Sequence, residues 1–175
     1  MRSYLTFRRS KVPDEVVAAL PRTLRPRVPR ISIVDRVYAD SHQVGYLIRA
    51  TQRQPGRSSH SVTVAIPDLT LPHPPRPLRV TRSTLLDGSG RRQRGVGGWA
   101  SREFDEAYTL SAADELDAKL VLTGDVQRFL LTAGVDEFAV VPDGLVLADV
   151  ASKRQPPERD GDLVWSALTL RGMLN

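Results

Sequence analysis

The stretch Phe104 to Asp149, FDEAYTLSAADELDAKLVLTGDVQRFLLTAGVDEFAVVPDGLVLAD, decides the fold, because its local signals follow one another as strand, helix, helix and hairpin. Phe104, Tyr108 and Leu110 alternate with polar neighbours and predict a strand over 104–110. Ser111 followed by Asp114 three residues later resembles a capping box and predicts a helix start, with Leu116 and Leu120 facing the core. A second helix is predicted to open at Thr123 or Asp125. It carries Val126, Phe129, Leu130 and Ala133 at spacings of three and four, and stops at Gly134, a residue suited to the left-handed position after a helix. Two strands follow, Glu137 to Val141 and Leu145 to Val150. Pro142-Asp143-Gly144 joins them as a turn, with Gly144 expected at positive φ.

Upstream of this stretch the pattern is dominated by β structure. Ser3 to Arg9 reads as a short strand, and Pro13-Asp14-Glu15 opens a short helix that Pro21 ends. Pro21 to Arg30 alternates Pro with Arg and is expected to be an extended connector. Ile31 to Ala39, Val44 to Arg53 and the alternation Val62, Val64, Ile66 predict an antiparallel meander, with its first turn at Asp40-Ser41-His42 and its second at Gln54 to Ser59. Five prolines between Pro67 and Pro77 exclude a central strand there, and β structure resumes at Leu78 and Val80. Asp87 to Gly98, DGSGRRQRGVGG, is a flexible glycine and arginine loop by composition. At the other end, Asp160 or Asp162 is expected to cap a final helix. The spread of Leu163, Val164, Trp165, Ala167, Leu168, Leu170 and Leu174 along that helix predicts deep burial.

Composition narrows the chemistry. With 175 residues the chain suits one domain with a sizeable core. The absence of Cys excludes disulfides, thiolate catalysis and Cys-ligated metal sites, and fits a reducing compartment, so a cytoplasmic location is expected. No apolar run reaches the roughly 18 residues that a membrane span requires. His42, His60 and His73 lack the spacing of a metal site, and Ser89 between Gly88 and Gly90 lacks the strand-to-helix setting of a nucleophile elbow. The carboxylate groups Asp105/Glu106, Asp114/Glu115/Asp117 and Asp136/Glu137 fall where solvated, structural roles are expected. The residues therefore predict no catalytic residue, metal or cofactor, and no enzyme.

Charge is unevenly distributed. Residues 1–98 hold 18 Lys and Arg against 6 Asp and Glu, a balance of +12, whereas the remainder holds 7 against 14, a balance of −7. Only Lys11, Lys119 and Lys153 are lysines among the 25 basic residues, an arginine excess of the kind that a GC-rich coding bias produces without any ligand. The candidate anion-binding residues are Arg25, Arg27 and Arg30 in the proline-broken connector and Arg91, Arg92 and Arg94 in the glycine loop.

The succession VGYLIRATQR, then SVTVAIPDLTLPHPPRPLRV, then FDEAYTLSAADELDAKLVLTGDVQRFLL resembles an uncharacterised bacterial family, a domain of unknown function, over residues 33–174. In that family strands lead through a proline-rich arm to an F-D-x-x-(Y/F) segment and an L-T-x-x-(hydrophobic) helix. Many of its members carry predicted transmembrane helices ahead of the soluble part. This chain departs from that pattern, since its first thirty residues are basic and broken by proline.

These readings combine into one α+β domain over 31–175 behind a basic N-terminal segment, 1–30. The expected architecture is a twisted antiparallel sheet of about six or seven strands, packed on one side by the central helix pair and the C-terminal helix. The alternative is a partly open barrel resembling the pleckstrin-homology superfold, capped by the C-terminal helix. The expected function is a non-enzymatic binding or scaffold module that engages another protein. The alternative is a binder of polyanions, nucleic acid included, or of anionic membrane surfaces, which would place the protein peripherally at a membrane.

Overall fold

The computed structural model describes residues 4–11, 31–52, 60–67, 78–83, 99–112, 114–141, 144–151 and 157–174. They form an α+β fold of eight strands and four helices. The strands are β1 (Leu5–Ser10), β2 (Ile31–Ala39), β3 (His42–Gln52), β4 (His60–Pro67), β5 (Leu78–Arg82), β6 (Tyr108–Ala112), β7 (Glu137–Val141) and β8 (Gly144–Ala151). The helices are α1 (Arg102–Ala107), α2 (Glu115–Val121), α3 (Gly124–Ala133) and α4 (Pro157–Leu174). The sheet is antiparallel throughout, in the order β1-β2-β3-β4-β8-β7-β5-β6. Among the described residues it stays open, since β1 and β6 pair there only with their inner neighbours, so the barrel alternative does not hold.

The first four strands are the predicted meander with β1 added at its edge, so part of the N-terminal basic segment belongs to the sheet. Asp40 and Ser41 turn the first hairpin with φ of 48° and 70°. Positive φ at both central residues matches the right-handed twist of the flanking strands. Strand β8 has two partners along different parts of its length: residues 147–151 pair with β4, and residues 144–148 pair with β7. It therefore joins the four-strand meander to the trio β7-β5-β6.

Residues in register share a face, so the pairings define rows that cross the whole sheet. One row runs Arg9, Asp35, Leu47, Ala65, Leu147, Phe138, Val80, Leu110 from β1 to β6. Leu47, Ala65, Phe138, Val80 and Leu110 of this row are buried in one cluster with Phe104, Val121, Val126 and Leu130 of the first three helices and Leu163, Val164, Ala167 and Leu170 of α4. The helices thus cover this face. The neighbouring row on the opposite face, Val34, Ile48, Val64, Ala148, Glu137 and Thr81, also contains buried side chains, with Ile48 and Val64 at 0% exposure.

Local chemistry explains the helices and corrects three expectations. Residues 104–107 are helical rather than extended: Ser101 caps α1 by accepting from the Phe104 amide, and β structure begins only at Tyr108. Asp114, not Ser111, caps α2, accepting from the Leu116 amide at 2.8 Å, and Ser111 lies in β6. Asp160 lies inside α4, which already begins at Pro157. The third helix follows its sequence closely, from the Thr123 cap to Gly134 at φ 65°, whose amide donates to the Leu130 carbonyl. Replacing Gly134 by Val is expected to cost about 1–2 kcal/mol, because a Cβ is disfavoured in the left-handed region. Urea unfolding measures this, and an unchanged midpoint would remove the backbone argument. The Pro142-Asp143 part of the last turn, the 13–20 helix, Leu85 and the 87–98 loop lie outside the described residues.

Candidate functional site

All six arginines predicted to bind anions, Arg25, Arg27, Arg30, Arg91, Arg92 and Arg94, lie outside the described residues. His73 and Ser89 do so as well, while His42 is exposed beside the hairpin turn, its Nδ1 3.1 Å from the Asp40 carbonyl oxygen. Among the described residues no three His, Asp or Glu side chains converge as metal ligands.

In the described part of the chain arginines hydrogen-bond buried carboxylates in two places. Arg49 of β3 donates from Nε to Asp160 of α4 at 2.7 Å and from a terminal nitrogen to Asp35 of β2 at 2.6 Å. Both carboxylates are buried, so one guanidinium fastens the helix to two strands. Burial opposes the Arg49 cation, but the hydrogen bonds and charges of Asp160 and Asp35 outweigh it and hold its pKa above the ordinary value. On the opposite face Arg79 of β5 grips Glu137 of β7 with two hydrogen bonds, 2.6 and 2.8 Å. Glu137 is 3% exposed and Asp136 8%, so this carboxylate pair is buried rather than solvated, contrary to the sequence expectation. The separations, 111 residues for Arg49 and Asp160 and 58 for Arg79 and Glu137, explain why local reading missed both. Asp35, Asp160 and Glu137 each accept from a guanidinium, and Asp136 lies 3.7 Å from that of Arg82, so the geometry fixes elements to one another.

Two uncharged groups are tied down in the same manner. Gln127 of α3 donates to the Leu122 carbonyl and accepts from the Ser101 amide, locking the start of α1 to the end of α2. The Tyr108 hydroxyl lies 2.9 and 2.8 Å from the Leu130 and Val135 carbonyl oxygens, which share its single proton. Burial raises the Tyr108 pKa, Arg82 works to lower it and Asp136 adds to the rise. The proton is therefore held more tightly in the folded state. This contribution to stability is fully present below the ordinary tyrosine value of about 10 and is lost as pH climbs from there through the folded value. We expect Tyr108→Phe to cost about 1–2 kcal/mol at neutral pH, since the buried Val135 carbonyl loses this donor while the Leu130 carbonyl keeps only the Gly134 amide. Above pH 10 the wild type should lose stability faster than the variant, and parallel urea midpoints over that range would contradict the assignment.

The surface offers a different kind of site. Leu116 and Leu120 are 67% and 71% exposed, one turn apart on α2, and do not face the core as their spacing suggested. Ala118 and Val121 take the buried side of that helix instead. Beside the leucines runs the ion pair of Lys119 with Glu115, and the Lys119 ammonium also lies 5.9 Å from the Trp99 ring centroid. At the far edge of the sheet Tyr4 is 92% and Phe7 37% exposed, among exposed Arg8, Arg9 and Lys11. A shallow apolar depression, too small for a ligand, lies between Val37, Tyr46 and Ile66 of the sheet and Val164 and Leu168 of α4.

Comparison with protein-family models, curated proteins and solved structures finds no match. Among the described residues no helix is long and apolar enough to cross a membrane.

Proposed function

We propose that the chain is a non-enzymatic binding module that engages another protein through the exposed face of α2. The observation that carries this reading is the pair Leu116 and Leu120, held in the open on a helix whose other side is well packed. Leucine gains roughly 1.5–3 kcal/mol when its side chain leaves water, so two adjacent exposed leucines favour a covering surface. The helix is rigidly presented, capped by Asp114 and anchored through Ala118 and Val121. The resemblance to the uncharacterised bacterial family belongs to the same proposal, because the segments that carry it contain α2 and the strands beneath it.

The reading is tested by placing a photo-activatable phenylalanine derivative at position 116 or 120 and irradiating cells that produce the protein. Discrete protein adducts are expected there, absent from a control at exposed Thr132 on α3 and lost when the neighbouring leucine is replaced by Glu. Adducts that are equal at all three positions would refute it. The polyanion reading rests on charge alone and predicts a different result. If it is right, duplex DNA or anionic vesicles bind with submicromolar affinity near 0.15 M salt, and charge reversal at the six candidate arginines abolishes the binding. We expect only weak binding at low salt, falling steeply as salt rises because counterions compete for the phosphates.

A further inference from the structure

Strand β1 is open along its outer edge and on both faces. Among the described residues it ends the sheet and pairs only with β2, so alternate backbone N–H and C=O groups have no ladder partner there. Thr6, Phe7, Arg8 and Arg9 are all exposed, two side chains to each face. An edge of this kind is a template for strand addition. Its side chains restrict which strand can use it.

The cations of this edge stand on both sides of the sheet. Residues 4–11 hold three basic residues and no acidic one. Arg9 is in register with Asp35 on the helix-covered face, but the Asp35 carboxylate accepts from Arg49. Arg8 belongs to the adjoining row and so lies on the face away from the helices, directly opposite Arg36 of β2. Both are exposed, and like charges facing each other across a strand pair are unfavourable. The Tyr38 ring, 5.0 Å from the Arg8 guanidinium, offsets part of this. Among the described residues no carboxylate forms an ion pair with Arg8, Arg9 or Arg36. Phe7, 37% exposed, is in register with Val37 on the same face as Arg9.

This arrangement favours a polypeptide of one sign. A second β1 would set basic side chains against basic side chains, whereas an acidic strand relieves the repulsion between Arg8 and Arg36. A nucleic acid or membrane surface laid on one face reaches the cations of that face alone and leaves the backbone edge unused. An added strand meets both sets, because its successive side chains point to opposite faces. Opposite Phe7, Arg8 and Arg9 the fitting residues are one apolar and two acidic. Among the described residues the acidic pairs beside an apolar residue are Asp105-Glu106, Asp114-Glu115 and Asp136-Glu137. They belong to α1, to α2 with its cap and to the start of β7, which leaves a different protein as their source.

We propose that β1 is a docking edge for an extended acidic segment of another protein, which joins the sheet as a ninth strand with its carboxylates on Arg8, Arg36 and Arg9. This goes beyond the α2 face and does not depend on it. Six residues of strand make a small contact, so a lone peptide binds weakly.

Titration of the purified chain with short dye-labelled peptides tests this. The first has the core Val-Glu-Glu-Val, whose symmetry suits either strand direction, between threonines. It should bind at about 0.05 M salt and weaken towards about 0.5 M, where the screening length is roughly threefold shorter. A Val-Gln-Gln-Val core should bind about tenfold more weakly, since the opposite-charge pairs are lost. The acidic peptide N-methylated at successive residues keeps its charge but lacks backbone donors, and should not bind. Bound peptide should shift the backbone amide resonances of residues 4–11 and leave those of α2 in place. Arg8→Glu with Arg9→Glu should lose the acidic peptide and gain one with a Val-Lys-Lys-Val core. Equal binding of the N-methylated peptide, or of a single-stranded oligonucleotide of the same charge, would show a site for negative charge alone and overturn the proposal. Failure of the acidic peptide to bind would overturn it too, as would resonance shifts confined to α2, which would still support the α2 reading. Self-association of the chain that Arg8→Glu with Arg9→Glu abolishes would make a second copy the occupant, against the proposal. Both positions are exposed, and a melting curve confirms folding; should the variant unfold, the N-methylated peptide and the amide shifts of the unaltered chain decide.

Discussion

Replacing Arg79 by Met is expected to destabilise the protein by about 3 kcal/mol, and adding Glu137→Leu should restore most of that loss. The argument rests on an asymmetry between removing one partner of a buried ion pair and removing both. Glu137 lies 3% exposed, in register with Thr81 and Ala148, and two bonds from Arg79 satisfy its carboxylate. Without Arg79 a negative charge is left in a site closed to water, which typically costs about 3–5 kcal/mol. The lower end applies because the Arg79 side chain is itself 22% exposed and a little water can follow it. With both charges replaced by apolar groups of similar volume the desolvation cost disappears with them. The chemical denaturation midpoints of the two single variants and the double variant form a cycle that measures this. A double variant at least as unstable as Arg79→Met alone would show that the pair contributes net stability beyond satisfying itself.

Phe138→Ala should be at least as damaging, at about 4 kcal/mol. Phe138 is 1% exposed, in the row that crosses all eight strands, between Val80 and the register position of Leu147. Strand β7 has partners on both sides, so the backbone around it cannot collapse into the space left by the ring. The cost combines lost burial with an unfilled cavity, for which Phe→Ala changes in cores span about 3–5 kcal/mol. Phe138→Leu should lose less than half as much. Equal losses for the two variants would mean that the ring's neighbours relax to fill the space.

What the sequence made legible was whatever short-range chemistry decides. The third helix, with a hydroxyl cap, a period near 3.6 and a glycine stop, lies where it was expected, and so does the meander from β2 to β4. The first helix was hidden because Phe104, Tyr108 and Leu110 change spacing from four to two within one run. Ser101 ahead of acidic Glu103 and Asp105 was the signal that separates the two periods. The second helix presents two stripes, Leu116 with Leu120 and Ala118 with Val121, and hydrophobic size favours the wrong one. Only the tertiary packing of the core cluster, in which Ala118 and Val121 are buried, decides which side turns inward. Arg49 and Arg79 could not be told from the other arginines, because their partners arrive through the strand order and not through sequence spacing. The candidate surface on α2 was thus visible as a helix but misread in orientation.

The placement of β8 also governs the order in which the molecule can be completed as it is made. The inner edge of the meander, β4, ends at Pro67, but its neighbour in the sheet is not finished until Ala151. At typical elongation speeds of about 5–20 residues per second those intervening residues take roughly 4–17 s to synthesise. During that interval β4 is an unclosed edge carrying Val64 and Ala65, and the trio that will adjoin it has no strand through which to attach. Nascent chains shorter than residue 151 should therefore be protease-sensitive across the meander, with protection gained in a single late step when β8 inserts between the two halves.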